Sequence, residues 1–303
     1  MSSGKVTTLT EAIARFVHDG HTVYLAGFTH AIPFAAGHEI IRQRRRNLIL
    51  ARATPDLICD QMIAAGCARK LIFSWGGNPG VGSLRAFRRA VERGELEIEE
   101  YTHFAMLSRL AAGASGLPFF PLRSLLGSDL PGVNPQIRTI RCPFTGEELA
   151  AVPSLRPDVT VVHAQRADAE GNVQIWGIVG DQREAAFAAS RVIACVEEVV
   201  DELVVANDPN RTMVPGEVVS AVVAVPFGAH PSYVQGYYDR DNQFYIEWDG
   251  VTATPDGYAA WLDAWVHGVR DRQEYAARLG QGRLAQLQTP TRYTAPVNYG
   301  TFS

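Results

Sequence analysis

Four segments of this sequence place glycine or a small residue beside polar side chains, directly after an apolar run. Glycine lets backbone N–H groups approach a ligand closely, because it carries no side chain. The neighbouring serine, asparagine, glutamine and histidine side chains add hydrogen-bond donors and acceptors. These residue types are suited to lining a ligand-binding cleft. The four segments are residues 27–30, 74–78, 163–165 and 227–231.

The glycine-rich segment 76–82 matches neither common phosphate-binding motif. Gly77 and Gly82 have the separation of a P-loop, but Ser83 follows where that motif requires lysine, so the β- and γ-phosphates would lack a contact. The dinucleotide motif GxGxxG also fails, because Arg85 stands at the third glycine. The segment is therefore typical of neither an NTPase nor a hydride-transfer enzyme.

No segment carries the pattern of an activated nucleophile. Ser115 departs from GxSxG by one position, and Arg42 replaces the second histidine of an HExxH pattern that begins at His38. Two acidic clusters, residues 95–100 and 197–202, are expected to lie on the solvated surface. The sequence therefore predicts a cleft without a clear covalent catalyst of its own.

The elements that must position these segments alternate between strands and helices. Apolar runs at residues 23–26, 47–51 and 70–74 are each followed by a glycine or helical pattern, and strands recur at residues 158–163, 191–196 and 218–225. This alternation predicts an α/β fold, an open, mostly parallel sheet with helices on both faces. Because ligands bind beyond the carboxyl ends of parallel strands, the four segments are expected to share one cleft.

Two regions depart from this alternation. Residues 116–157 are rich in proline and glycine, and are expected to form a long excursion or a β-rich subregion. From about residue 255 the pattern is helical. No linker divides the chain, so residues 1–285 are expected to form one domain with a C-terminal helical extension, followed by a tail over residues 286–303.

Composition excludes several classes of protein. The chain has 303 residues, 47 % hydrophobic and 20 % charged, and a formal net charge of −4. It is too apolar for a disordered chain and lacks the charge of a nucleic-acid binder. No membrane span and no signal core are predicted. The charged fraction lies below the usual value of about 25 %, which suggests surface hidden in a partner interface.

The cysteines are typical of a protein in a reducing compartment. They form no CxxC pair and have no zinc-ligand spacing, so reduced thiols and no metal site are expected in a cytoplasmic protein. The four are Cys59, Cys67, Cys142 and Cys195.

The segment 19–28 resembles the signature of the alpha subunit of the family I CoA-transferases. That signature is Asp-Gly, two residues, three apolar residues and then Gly-Gly-Phe with a proline nearby. Ala26 stands at its first glycine here, and Ala31 replaces the glycine two residues before Pro33. The resemblance extends over roughly residues 5–285. Its further segments are residues 73–83, 116–119, 127–130, 172–177, 228–232 and 237–239.

What the resemblance implies is one half of an enzyme. In this family the nucleophile is a glutamate of the beta subunit, which attacks an acyl-CoA, and a glutamyl-CoA thioester follows. This chain would then contribute no catalytic nucleophile, hold no metal or permanent cofactor, and use coenzyme A as a substrate. It would pair with the beta subunit in a heterodimer or heterotetramer and supply the other wall of the cleft.

The resemblance also assigns site residues. A loop beside the thioester is expected at Gly27, Phe28, Thr29 and His30. Contacts to the acyl group are expected from Ser74, Trp75, Gly76, Gly77, Asn78, Gly80 and His103. A bulky residue at Gly27 is expected to lower turnover without unfolding the complex.

Within the family, residues 74–83 and 141–147 are most similar to the branch that transfers CoA from succinyl-CoA to 3-oxoadipate. The C-terminal helices are similar to the branch that acts on glutaconate. A distal carboxylate requires a cation or a donor array, for which Ser74, Asn78, His103 and the N–H groups of the glycine loop are candidates. A decarboxylase or hydrolase of the same fold, and a ligand-binding protein without a catalytic partner, stay open as alternatives.

Overall fold

A nine-stranded sheet forms the centre of the computed structural model, which describes residues 4–289. Seven of its strands are parallel. In spatial order they are β12 (Ala221–Ala224), β10 (Arg191–Val199), β8 (Val159–Ala167), β1 (Thr22–Leu25), β2 (Leu48–Ala51), β3 (Ala68–Phe73) and β4 (Glu97–Glu100). Strand β9 (Val173–Gln174) pairs antiparallel with β8, and β11 (Thr212–Val214) pairs antiparallel with β9. A short helix, α8 (Glu202–Ala206), lies between β10 and β11 in the chain. The predicted fold class is confirmed.

Helices cover both faces of this sheet. Successive side chains of a strand point to opposite faces, so Val23 packs into one apolar core and Tyr24 into the other. The first core is covered by α1 (Leu9–Phe16), α2 (Phe34–Arg42), α3 (Leu57–Ala64), α4 (Arg85–Glu92), α9 (Asn242–Val251) and α10 (Pro255–Leu262). The second is covered by α5 (His103–Ala114) and α7 (Gln182–Ala188).

Strand β1 lies at the point where the strand order reverses. The chain runs outward from β1 through β2 and β3 to β4, and later runs the other way from β8 through β10 to β12. In open parallel sheets this switch point opens a crevice at the carboxyl ends of the strands. The loop after β1 therefore occupies the position where a ligand is expected.

The proline-rich excursion forms a small sheet of its own. Strand β7 (Glu148–Pro153) pairs antiparallel with β5 (Phe119–Leu122) and β6 (Arg138–Arg141). A short helix, α6 (Leu130–Val133), lies between β5 and β6. The predicted β-rich subregion is confirmed.

The C-terminal helices begin earlier than expected. Helix α9 starts at Asn242 rather than near residue 255, because the Asp241 side chain caps it by accepting the N–H of Phe244 at 3.1 Å. Beyond α10 come a π-helical turn (Asp263–His267), α11 (Arg272–Leu279) and α12 (Gln281–Leu287). Most of the predicted tail, residues 290–303, lies outside the described residues.

Two predictions about surface location are wrong. Glu99 and Glu197 belong to the acidic clusters expected at the surface, yet both are buried. Glu99 lies 2.9 Å from Arg109, and Glu197 lies 2.6 Å from His163. A buried carboxylate needs such partners, and these partners are not sequence neighbours of the clusters.

The segment 163–165 also differs from its prediction. Strand β8 continues to Ala167, so His163 and Gln165 lie within the strand and are buried, not beyond its end. The extension follows from pairing with β10 along residues 191–199.

Residues 4–289 contain no helix that is long and apolar enough to span a bilayer.

Candidate functional site

The carboxyl ends of β1, β2, β3 and β4 meet at one cleft. The Nε2 atom of His103 lies 2.8 Å from Oγ1 of Thr54, and its ring meets that of Phe28 edge to face at 6.1 Å. The N–H of Ser74 donates to the carbonyl of Ala53 at 3.1 Å. We call this the strand-end cleft, lined by Phe28, Thr54, Ser74, Trp75 and His103. Two of the four predicted segments, 27–30 and 74–78, therefore come together.

The segment 227–231 does not contribute exposed side chains to the cleft. The carbonyl of Gly228 accepts the N–H of Ala35 at 2.8 Å, and His230 is fully buried against Asp241 at 2.8 Å. Together with the buried segment 163–165, it supports the loops from within the protein.

The loop after β1 depends on the absence of a side chain at Gly27. Its φ is +108°, and a Cβ atom there would lie 2.7 Å from the carbonyl oxygen of His30 and 2.8 Å from that of Ala31. Thr29 and Ala31 also adopt positive φ, at 58° and 51°. Any side chain at Gly27 would thus distort the loop itself. The geometry therefore does not support the expectation that a bulky residue at Gly27 lowers turnover and leaves folding intact.

His30 holds this loop from inside the protein. Its side chain is fully buried; Nδ1 lies 2.8 Å from the carbonyl of Ile178, and Nε2 accepts the N–H of Gln235 at 3.1 Å. Burial lowers the pKa of His30 to about 4, so the ring is neutral and carries its proton on Nδ1. The side chain therefore connects the loop after β1 to the loops that contain Ile178 and Gln235.

The loop after β3 presents different groups from those its sequence suggests. Trp75 is 46 % exposed at the cleft. The Ser74 hydroxyl donates its one proton to the carbonyl of Ala53, so towards a ligand it can only accept. Asn78 is buried and donates from Nδ2 to the carbonyl of Tyr245 at 2.7 Å. Asn78 thereby fastens the loop to α9.

Glycines shape the rest of this loop. Gly77 is buried, and a Cβ atom there would lie 2.5 Å from the Trp75 ring. Gly76 is half-buried next to Phe87, and Gly80 is exposed with φ +81° in the turn that follows. The absence of side chains lets Trp75 fold back over the loop.

Several backbone donors at the cleft are unpaired. The N–H groups of Phe28 and Thr29 have no hydrogen-bond partner within residues 4–289. The first two N–H groups of α5, from His103 and Phe104, have no partner within their helix. The cleft therefore offers two groups of donors, one at the loop after β1 and one at the positive end of a 12-residue helix.

Three residues beneath the cleft were missed by sequence reasoning. Arg52 is buried and donates to the carbonyls of Leu25 at 2.6 Å and Thr54 at 2.8 Å. Tyr24 and Asp181 are buried beside it. Arg52 directly follows the apolar residues of β2, and this position could have marked it as a site residue. Asp181, which directly precedes α7, belongs to no recognisable motif.

The loops after β1 and β3 hold no carboxylate or thiol nucleophile, and Asp56 in the loop after β2 is buried. Residues 27–30 and 74–80 contain no Asp, Glu or Cys. Within residues 4–289, no group of three or more His, Cys, Asp or Glu side chains could hold a metal ion. These loops can bind a ligand and stabilise negative charge on it.

Comparison with known proteins agrees with this arrangement. Residues 6–225 match the family model described as Coenzyme A transferase. The chain is 56 % identical over 283 residues to the alpha subunit of the 3-oxoadipate CoA-transferase of Pseudomonas knackmussii, covering 92 % of this chain and 99 % of the relative. It is 36 % identical to the alpha subunit of the glutaconate CoA-transferase of Acidaminococcus fermentans, over 94 % of each chain.

Solved structures show the same relationship. The crystal structure of the glutaconate coenzyme A-transferase of Acidaminococcus fermentans superimposes with a TM-score of 0.91 at 35 % identity, covering 95 % of this chain and 98 % of that one. The decarboxylase AibA/AibB superimposes with a TM-score of 0.79 at 31 % identity, over 87 % of this chain and 98 % of that one. The family model and these nearly full-length similarities show that this chain belongs to the coenzyme A transferase family.

Proposed function

We propose that this chain is the subunit without the nucleophile in a heteromeric CoA-transferase that moves CoA from succinyl-CoA to 3-oxoadipate. One observation carries the proposal: the strand-end cleft has unpaired donors, while the loops after β1 and β3, residues 27–30 and 74–80, hold no acidic residue and Asp56 in the loop after β2 is buried. The similarity to the alpha subunit of a 3-oxoadipate CoA-transferase, at 56 % identity over 92 % of the chain, supports this choice of acceptor.

In the proposed reaction the thioester carbonyl of succinyl-CoA is attacked by a glutamate of the partner subunit. The C–S bond breaks, CoA leaves as the thiolate, and a succinyl-glutamyl anhydride remains. The thiolate then attacks the glutamyl carbonyl, which releases succinate and forms the glutamyl-CoA thioester. The carboxylate of 3-oxoadipate repeats the two steps in reverse, so that 3-oxoadipyl-CoA leaves and the glutamate is regenerated.

Each step passes through a tetrahedral oxyanion, which backbone N–H donors stabilise. The N–H groups of Phe28 and Thr29 are the available donors in the loop after β1. The N–H of Gly27 is occupied, because it donates to Asp181 at 2.8 Å. This assigns the oxyanion contact to the second and third residues of the loop.

The distal carboxylate of the substrate is assigned to the start of α5. His103 and Phe104 offer unpaired N–H groups at the positive end of the helix. The imidazole of His103 and the hydroxyl of Thr54 lie beside them, 2.8 Å apart. The side chains of Ser74 and Asn78 are not available to donate to this carboxylate. The Ser74 hydroxyl donates its proton within the protein, and the Asn78 side chain is buried against α9.

Exposed apolar side chains at the cleft support a partner subunit there. Phe28, Trp75, Phe104 and Ile178 are 38 %, 46 %, 61 % and 46 % exposed. A group of large apolar side chains on one exposed surface is typical of an interaction site. A protein seated on this surface would bring its carboxylate to the donors of the cleft and exclude water from it.

The test is co-expression with a beta subunit of this family from the same source, which is sought first in the neighbouring reading frame. The purified complex is assayed for 3-oxoadipyl-CoA from succinyl-CoA and 3-oxoadipate, with glutaconate as a parallel acceptor. We expect transfer to 3-oxoadipate and a glutamyl-CoA thioester on the partner. Transfer to glutaconate alone would correct the acceptor, and transfer to neither acid would overturn the proposal.

Decarboxylation is a second candidate, since AibA/AibB is 31 % identical and similar in structure. Release of CO₂ from an acyl-CoA, without CoA transfer, would select it. Ligand binding by this chain alone, with no activity in any complex, would instead indicate a binding protein.

A further inference from the structure

A buried series of hydrogen bonds joins the two loops that flank the strand-end cleft. Ser74 donates to the carbonyl of Ala53, and the N–H of Ala53 donates to the Tyr24 hydroxyl at 3.2 Å. The Tyr24 hydroxyl donates to Oδ2 of Asp181 at 2.5 Å, and the N–H of Gly27 donates to Oδ1 at 2.8 Å. The loop after β1 is thereby connected to the loop after β3 without a direct contact.

The direction of each bond is determined by its chemistry. A carboxylate only accepts hydrogen bonds, so the hydroxyl of Tyr24 must donate to Asp181 and accept from Ala53. Burial, together with the neighbouring Asp181, raises the pKa of Tyr24 well above its ordinary value, so the phenol keeps its proton. Both oxygens of Asp181 are occupied, and the side chain is buried.

Arg52 makes this buried carboxylate tolerable. Arg52 forms an ion pair with Asp56 at 3.6 Å and also attracts Asp181 electrostatically, and a buried charge requires such compensation. The same guanidinium donates to the carbonyl of Leu25 and to that of Thr54. The guanidinium thus lies directly under the residues that line the cleft.

We propose that Asp181 is a positioning residue, which turns the Gly27 amide inward and, through Tyr24 and Ala53, sets the loop after β1 relative to the loop after β3. The proposal rests on the proposed function. With the Gly27 N–H held by a carboxylate, the ligand is left the N–H groups of Phe28 and Thr29. Asp181 acts through these donors and does not touch the reacting atoms.

Two variants of the co-expressed complex test the proposal. Asp181→Asn keeps the volume but replaces one acceptor oxygen with an NH₂ group, so either Gly27 or Tyr24 loses its acceptor. Tyr24→Phe removes only the hydroxyl and leaves Ala53 and Asp181 each short of one partner. We expect kcat to fall about 10- to 100-fold in both, with the KM for succinyl-CoA changed less than about threefold, because binding contacts outside the reacting centre stay in place.

Asp60→Asn is the matched control. Asp60 is also fully buried and also accepts from one backbone and one side-chain donor, Phe87 N–H at 2.7 Å and Trp248 Nε1 at 3.0 Å. It lies outside the connection between the two loops. We expect this variant to lose stability while its kcat stays within about twofold of wild type.

Amide hydrogen exchange provides a readout that does not need activity. We expect faster exchange in residues 24–31 and 72–78 of both Asp181→Asn and Tyr24→Phe, by about tenfold or more, and in residues 84–92 of the control instead. If the wild-type complex transfers no CoA, the proposed function fails and the exchange pattern alone decides the positioning role. Faster exchange in only one loop, or unchanged kcat in both variants of an active complex, would overturn the proposal.

Discussion

His103 Nε2 and Thr54 Oγ1 lie 2.8 Å apart, joining the carboxyl ends of β4 and β2 across the cleft. Thr54 is nearly buried whereas His103 is exposed. The threonine therefore orients an imidazole that stands at the first position of α5. The imidazole thus lies beside the positive end of the helix, a combination that suits a carboxylate.

Substitution at His103 should act on the substrate's distal carboxylate. We expect His103→Gln to lower kcat/KM for 3-oxoadipate by about tenfold, since a hydrogen bond to a charged group is lost or weakened. His103→Glu should lower it further by repulsion. The measurement compares 3-oxoadipate with a monocarboxylic 3-oxo acid, for which kcat/KM should hardly change.

His18→Gln is the control for His103, because His18 is exposed on the amino side of β1, away from the cleft. It should leave both substrates unaffected. Equal losses for the dicarboxylic and monocarboxylic acids in His103→Gln would contradict the assignment.

Gly27→Ala should destabilise the protein by about 2–3 kcal/mol, because a Cβ atom would clash with two carbonyl oxygens at a positive φ. Gly94→Ala is matched to it: its φ is also positive, at +68°, but nothing lies within 4 Å of the added atom. We expect only about 1 kcal/mol there. Urea unfolding of both variants measures the difference, and equal losses would refute a steric requirement at Gly27.

Phe104→Ser should weaken association with the partner subunit. Phe104 is 61 % exposed beside the cleft, and truncating a large apolar side chain in an interface costs about 1–2 kcal/mol, or roughly tenfold in Kd. Stability of the isolated chain should change little. Phe144→Ser is the control, since Phe144 is 94 % exposed on the hairpin between β6 and β7. Sedimentation analysis distinguishes the two, and an undisturbed complex with Phe104→Ser would place the interface elsewhere.

His30 should make stability depend on pH between 7 and 5. Its pKa is about 4 when folded, lowered by burial, and about 6.5 when unfolded. The unfolded chain therefore binds a proton first as the pH falls, and wild type loses about 2 kcal/mol from this group between pH 7 and pH 5. A His30→Gln variant lacks this loss.

The measurement for His30 is the free energy of unfolding of both proteins at each pH. The destabilisation caused by His30→Gln should be about 2 kcal/mol smaller at pH 5 than at pH 7. The comparison cancels other titrating groups, such as Asp60, whose pKa burial raises to about 6. A pH-independent difference would show that His30 is not buried as a neutral ring.

Much of the fold follows from local pattern. The apolar runs of β1, β2 and β8 are fully or nearly fully buried, as expected for central strands of a parallel sheet. Helix starts are harder to read. The start of α9 depends on the cap at Asp241. The Asp241 side chain also binds His230 and Arg283, so contacts distant in sequence determine where it lies.

The order of residues along the chain is enough to predict the alternation of strands and helices, the glycine loops at strand ends, the absence of a carboxylate or thiol nucleophile in those loops, and the family. These properties depend on residue type and spacing along the chain. Which polar groups reach the cleft depends instead on contacts between residues that are distant in sequence. Asn78 and His30 are held inside by partners far along the chain, and the Ser74 hydroxyl donates its proton to the carbonyl of Ala53, while the unpaired N–H groups of Phe28 and Thr29 stay available. The physical reason is that a buried polar group must find a partner, and only the folded chain shows which groups have already found one.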